Sequence, residues 1–365
     1  MSRLATAVVL TALLAGCRAR VEGPAAPCTR VQAVREVRGE TLCEDVWTCG
    51  RPPGGRFDRV GLRRVALCEG ATGPVVLYLP GMHMSSRLPV SDARYDLRLY
   101  LAVAGFRTWG LDYRTNAVPP DATPADLGAL AGWTADVFAD DAAWAAAFAR
   151  TQDAGQLFLV GFSFGGGLAY RLAARGERVA GLAILDAATP SGRTGGGGEP
   201  VIDVGGSRLP FAERQRLLAA VMANPDGPSP LAGFPTAGAA LAEVLWSASA
   251  FGGQGGLSAA REGATDVQVA ARLLASYDRW WPRAALEGGA PGAPERPLPV
   301  LAFATANMGP YWVSRVRASA EAFGGEEATV RELRGWGHLD VLVGRAAALE
   351  VFAPVRAWIE DHTGR

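Results

Sequence analysis

Residues Leu157 to Tyr170 read LFLVGFSFGGGLAY. The stretch opens as a continuous apolar run, passes through a serine set between glycines, and resumes with helical spacing. Gly161-Phe162-Ser163-Phe164-Gly165 fits G-x-S-x-G, with a strand-like run before it and a helix-like run after it. That context gives the motif its meaning: a strand-to-helix turn this tight forces the serine into strained backbone geometry. Gly161 and Gly165 are expected to flank Ser163 because a Cβ there would collide with neighbouring chain. The hydroxyl then stands at the carboxyl edge of a sheet, where helix dipole and backbone N–H groups face a developing negative charge.

Outward from this turn the chain alternates strand-like and helix-like runs. Arg30–Val37, Phe57–Leu67, Gly73–Gly81, Phe106–Arg114, Val179–Ala187, Leu298–Ala306 and TVRELRG read as strands. Asp92–Gly105, Thr134–Gln152, the run after Ser163, GPYWVSRVRASAEAFGG and Ala346–His362 read as helices, the last kinked at Pro354. Such alternation predicts an α/β fold with a mostly parallel central sheet and helices on both faces.

With the serine motif in its strand–helix context, the sequence resembles the α/β-hydrolase superfamily from about Val60 to the C-terminus, apart from the stretch Ser191–Pro297. The resemblance implies a catalytic triad and an oxyanion loop. It implies Ser163 as nucleophile, the backbone N–H groups of Met82 (in LPGMHMSS) and Phe164 as oxyanion donors, and a histidine late in the chain as base. Three histidines occur, His83, His338 and His362. His338 follows the last strand in GWGHLDVLVG, which is similar to the histidine loop of the acid-lipase branch, so it is taken as the base. His83 is read as shaping the loop beside Met82, and His362 as a solvated residue at the end of the last helix.

The acid departs from the commonest pattern. The loop after the penultimate strand reads ATANMGPYW and holds no carboxylate. Asp186 ends the preceding strand in LAILDAATP and is the preferred acid, since the acid must reach His Nδ1 and fix its tautomer. Asp340, Asp112 and a bare Ser–His pair oriented by Asn307 stay open as alternatives.

The N-terminus reads MSRLATAVVLTALLAGC: a basic residue, an apolar segment too short for a comfortable membrane span, then Leu14-Ala15-Gly16-Cys17. This resembles the lipobox of bacterial lipoproteins. Residues 1–16 would then be a signal peptide and Cys17 the site of lipid attachment, carrying fatty acyl chains such as palmitate; an ordinary secretory signal with a chance Cys17 is the competing reading. Residues 17–27 would be a tether. Cys28, Cys43, Cys49 and Cys68 are even in number, and after an export signal they predict two disulfides stapling an initial β segment. The short Cys43–Cys49 spacing suits a hairpin staple, which leaves Cys28–Cys68. Zinc is the rival use, but no CxxC pair supports it, and no metal or other cofactor is expected.

Residues 28–190 and 298–365 are expected to form the core, and 191–297 a helical cap or lid with glycine- and proline-rich edges. Helix-like runs there carry Trp246, Trp280 and Trp281, read as docking the insertion on the core; if some face the mouth, the site would take an acyl chain or an aromatic ring. Composition narrows the chemistry. All 36 basic residues are arginine, so lysine bases, Schiff bases and P-loop lysines are excluded. Zero formal net charge and the lack of a basic stretch point away from nucleic acid. The resulting expectation is an exported, membrane-anchored serine hydrolase acting on a small acyl substrate, a carboxylic ester first, with thioester, lactone and amide open. A non-catalytic surface lipoprotein that uses the same scaffold for binding is the alternative.

Overall fold

The computed structural model describes residues 28–88, 92–190, 199–204, 209–247 and 264–364. The leader and tether, with Cys17, lie outside the described residues, as does the side chain of Trp246. The described strands are β1 (Cys28–Val37), β2 (Glu40–Gly50), β3 (Arg59–Leu67), β4 (Val75–Leu79), β5 (Arg107–Asp112), β6 (Leu157–Phe162), β7 (Gly181–Leu185), β8 (Val201–Asp203), β9 (Trp280–Pro282), β10 (Val300–Thr305) and β11 (Ala328–Leu333). The α-helices are α1 (Leu97–Val103), α2 (Pro124–Gly128), α3 (Ala135–Gln152), α4 (Phe164–Ala174), α5 (Phe211–Ala223), α6 (Ala237–Ser247), α7 (Val267–Ala275), α8 (Pro310–Gly324), α9 (Asp340–Val343) and α10 (Ala353–His362).

Among the described residues nine strands make one sheet in the order β1-β2-β3-β5-β4-β6-β7-β10-β11. The β1, β2, β3 end is antiparallel, and from β5 to β11 every neighbouring pair is parallel. The inner parallel strands β4, β6 and β7 are apolar and buried throughout because both faces are covered, whereas the edge strand β11 carries Arg331 and Glu332. In β4, Val75, Leu77 and Leu79 join the cluster under α3, α4 and α8, while Val76 and Tyr78 join the cluster under α1 and α10. Leu157 and Leu159 of β6 divide from Phe158, Val160 and Phe162 in the same way. The expected α/β architecture, mostly parallel with helices on both faces, is thus the one observed. The closing helix contains a widened turn at Ala348–Phe352 just before Pro354, whose missing N–H cannot continue a regular ladder.

Between β7 and β10 the described residues contain the helices α5, α6 and α7 and also a small antiparallel pair, β8 with β9. Trp280 to Pro282, read from sequence as the tail of a helix, are therefore extended. Leu217, Leu273 and Leu241 of the inserted helices share one cluster with Leu339 and Leu342, and Trp281 is fully buried in the other. Trp281 docks the insertion on the core, as expected of it.

The disulfides correct the expected pairing. Cys28 bonds Cys49, and Cys43 bonds Cys68. Cys43 and Cys49 lie six residues apart on the single strand β2 and, at about 3.4 Å per residue, are far beyond bridging distance. The register instead sets Cys28 opposite Cys49, and the Cys68 N–H donates to Thr41 O beside Cys43. The two bridges close loops of 21 and 25 residues. Each should contribute about 3 kcal/mol by constraining the unfolded chain. Cys28→Ser and Cys43→Ser should each lower the denaturant midpoint accordingly, and unreduced peptide maps should join residue 28 to 49; a 43-to-49 link would contradict the register.

Candidate active site

Ser163 sits between β6 and α4 with φ +52° and ψ −119°, a conformation that L-residues adopt only under constraint. The constraint is steric. A Cβ on Gly161 would lie 2.5 Å from Gly165 O, and one on Gly165 would lie 2.0 Å from Leu79 O. Gly166, which the motif does not name, is equally confined: its Cβ would meet that of Ala187 at 2.4 Å. The Ser163 N–H donates to Leu185 O, tying the turn to the neighbouring strand.

His338 and Asp186 come together from opposite ends of the C-terminal half. His338 Nδ1 is 2.5 Å from Asp186 Oδ2, and both side chains are buried. A carboxylate only accepts, so Nδ1 carries a proton, and in the neutral ring the lone pair is on Nε2. The imidazole also packs at 4.8 Å on the ring of Phe162, the residue before Ser163. Asp186 has φ +48°, a second strained position at a strand end.

Two residues around Asp186 were not singled out from sequence. Thr305 donates from its N–H to Oδ1 and from its hydroxyl to Oδ2, and the Trp312 indole N–H donates to Oδ1 at 2.9 Å. With His338, four donors fill the acceptor capacity of one carboxylate. Thr305 ends β10 and Trp312 lies in the first turn of α8, on either side of the loop that holds no carboxylate. Both are donors aimed at an acid on the adjacent strand. The alternative acids have other partners. Asp340 accepts from Gly337 N–H and the Thr265 hydroxyl, and Asp112 from Ser86 and Arg63. The Asn307 side-chain amide makes no hydrogen bond among the described residues, so it does not orient the ring.

Met82 and Phe164 both border this region. Phe164 N–H opens α4, directly after Ser163. Met82 is a central residue of the turn Gly81–Met84, closed by Met84 N–H to Gly81 O at 3.2 Å. Neither N–H donates to an acceptor among the described residues. The Tyr113 hydroxyl holds Pro80 O at 2.8 Å, fixing the start of that loop. His83 is buried beside Met82, its Nδ1 bonded to Asp278 O, and burial lowers its pKa to about 4. His362, expected to be solvated, is half-buried at the end of the last helix, with Nδ1 bonded to Trp358 O and its ring tilted against that indole. No group of metal-ligating side chains occurs among the described residues.

Asp278 is a further perturbed group. Burial first, with the Asp112 charge, raises its pKa to about 8 against the bond it accepts from Thr115, and Asn116 also donates to its carboxyl. In the unfolded chain this carboxyl ionises near pH 4, so between about pH 4 and 8 it binds more protons in the folded state, and its contribution to stability falls as pH rises. Asp278→Asn, which keeps an acceptor oxygen, should flatten that decline. Thermal melts of both proteins across the window check this; a wild-type minus variant difference that stays constant would contradict it.

With this geometry in hand, comparison places the fold. The family model described as the alpha/beta hydrolase fold matches residues 74–200. A candidate lipase from Sulfolobus solfataricus is similar over 91% of this chain and 99% of its own, at 23% identity and TM-score 0.73. A bottromycin epimerase in complex with bottromycin A2 is similar at 16% identity over 86% of this chain and 99% of its own, with TM-score 0.47. A metagenome-derived lipolytic enzyme is similar at 19% identity over 80% of this chain and 99% of its own, with TM-score 0.45. No curated protein matches the sequence. The chain has the α/β-hydrolase fold.

Proposed function

We propose that this α/β-hydrolase-fold chain is a serine hydrolase that cleaves a carboxylic ester through an acyl-enzyme. The observation that carries the reading is the 2.5 Å pair between Asp186 and His338, packed against the strained turn that presents Ser163. In this reading Asp186 holds His338 with Nε2 as the proton acceptor. As Ser163 Oγ attacks the acyl carbon, its proton passes to Nε2 and the carbonyl π pair moves onto oxygen. The N–H groups of Met82 and Phe164 receive that oxyanion. Its collapse expels the alcohol, which takes the proton from His338; water then repeats the sequence and releases the acid. No step needs a cofactor. Fold alone does not fix function, so the reading stands on these residues. Turnover of short p-nitrophenyl esters by the purified protein tests it, and absence of turnover across chain lengths would favour a binding role for the scaffold.

The same proposal places the enzyme outside the cytoplasm, anchored through lipid on Cys17, with residues 191–297 as a cap over the site. Two disulfides fit an oxidising compartment. No helix among the described residues is long and apolar enough to cross a membrane. Several acyl chains on one residue suffice for stable attachment. Cys17→Ser should move the protein from the detergent phase to the aqueous phase on phase partitioning; unchanged partitioning would remove the lipid anchor from the account.

A further inference from the structure

We propose that Asp278–Trp281, a segment of the insertion, sets the position of the loop at Met82, and that His83 is the positioning residue through which it acts. The proposal rests on the reading of Met82 as an oxyanion donor.

The turn Gly81–Met84 has Met82 and His83 as its central residues, and His83 has φ +65°. A turn with a left-handed second central residue is ordinarily built with glycine or asparagine there. A histidine in this place carries backbone strain and persists only if its surroundings hold it. The insertion supplies the hold. Asp278 N–H donates to His83 O at 2.7 Å, and His83 Nδ1 is 2.8 Å from Asp278 O. Since a carbonyl oxygen only accepts, the ring donates through Nδ1–H, and the two residues are bonded reciprocally. Trp281 packs on the same imidazole with ring centroids 5.5 Å apart.

The segment is itself pinned to the core on several sides. Thr115 and Asn116, just after β5, donate to the Asp278 carboxyl. Arg279 and Trp280 both donate to Pro120 O. Trp281 lies 5.0 Å from the ring of Phe164 and 5.7 Å from that of Tyr113, whose hydroxyl holds Pro80 O. One short segment therefore touches His83, next to the first donor, and Phe164, which carries the second. The spacing of the two N–H groups is set by the insertion together with the core. Preorganised donors lose much of their effect when displaced by about an ångström.

Two substitutions separate the hold from the turn. His83→Gly removes the ring and its bond but suits the left-handed conformation, so relief of backbone strain offsets part of the lost packing and the protein should still fold. His83→Asn suits it too and returns an N–H close to the place of Nδ1–H. With p-nitrophenyl esters, His83→Gly should lower kcat by about tenfold while KM stays within about twofold. The Ki of a trifluoromethyl ketone, whose adduct places an oxyanion between the same donors, should rise by a similar factor. His83→Asn should recover most of both. Thr115→Val, which loosens Asp278 without touching the loop, should shift kcat and Ki in the same direction by a few-fold. A His83→Gly protein that equals wild type in kcat and Ki overturns the proposal, as does a fall in kcat with Ki unmoved. A wild-type protein inert toward both esters and the ketone overturns the hydrolase reading, and this proposal with it.

Discussion

Ser163→Ala and His338→Ala should each reduce kcat for ester hydrolysis by at least about 10⁴-fold, leaving a residue of activity from binding and the oxyanion donors alone. The reasons differ. Ser163 supplies the atom that bonds to the acyl carbon, and no neighbour can replace it, because the turn that presents it has glycines at 161, 165 and 166. His338 supplies the base. His83 is committed through Nδ1 to Asp278, with its pKa lowered to about 4, and His362 is bonded to Trp358 O with its ring against that indole. The double variant should be no slower than either single one, since the two residues act as a unit. Parallel kcat measurements on the three variants check this; a His338→Ala protein retaining a tenth of wild-type kcat would break the assignment of the base.

The second large effect belongs to Asp186. Asp186→Asn should lower kcat by about 10³- to 10⁴-fold with KM little changed. An amide at this place presents an N–H to one of the donors around it, and the imidazole then tends to turn its proton onto Nε2, the wrong tautomer for a base. Substrate contacts are untouched, so binding is spared. Asp340→Asn, Asp112→Asn and Asn307→Ala should each cost less, because Asp340 bonds Gly337 and Thr265, Asp112 bonds Ser86 and Arg63, and Asn307 has no bond to the imidazole. Steady-state kinetics across the four variants rank them. A near-normal Asp186→Asn beside a crippled Asp340→Asn would force the acid to be reassigned.

The serine turn was legible because its constraints are local: strand, helix and glycine spacing are all written within fourteen residues. His338 was legible from its order in the chain. Asp186 could be narrowed but not fixed, since its meeting with His338 spans 152 residues and depends on how β7 and β10 pair. Thr305 and Trp312 are not legible in the sequence because the donors that serve a carboxylate share no residue type or spacing. Strand β2 was missed for an electrostatic reason. Glu44 and Asp45 break its apolar pattern, yet both are buried because Arg35 and Arg63 flank the first, and Arg30 and Arg64 the second. Without β2 as one strand, the cysteine spacing suggested a hairpin that the chain does not make. The insertion's fit against the core was out of reach for a related reason: Trp280 and Trp281 have helical neighbours in sequence, and β9 exists only because β8 is there to pair with it.

The most direct test of the central claim is the site of covalent modification by a fluorophosphonate. The phosphorus should bond to Ser163 Oγ with loss of fluoride, and peptide mass mapping should place the whole adduct on the peptide containing Gly161–Gly165, with none formed on Ser163→Ala and slowed formation on His338→Ala. A wild-type protein that is folded and disulfide-bonded but takes no label, or that takes it on another residue, would contradict Ser163 as the nucleophile.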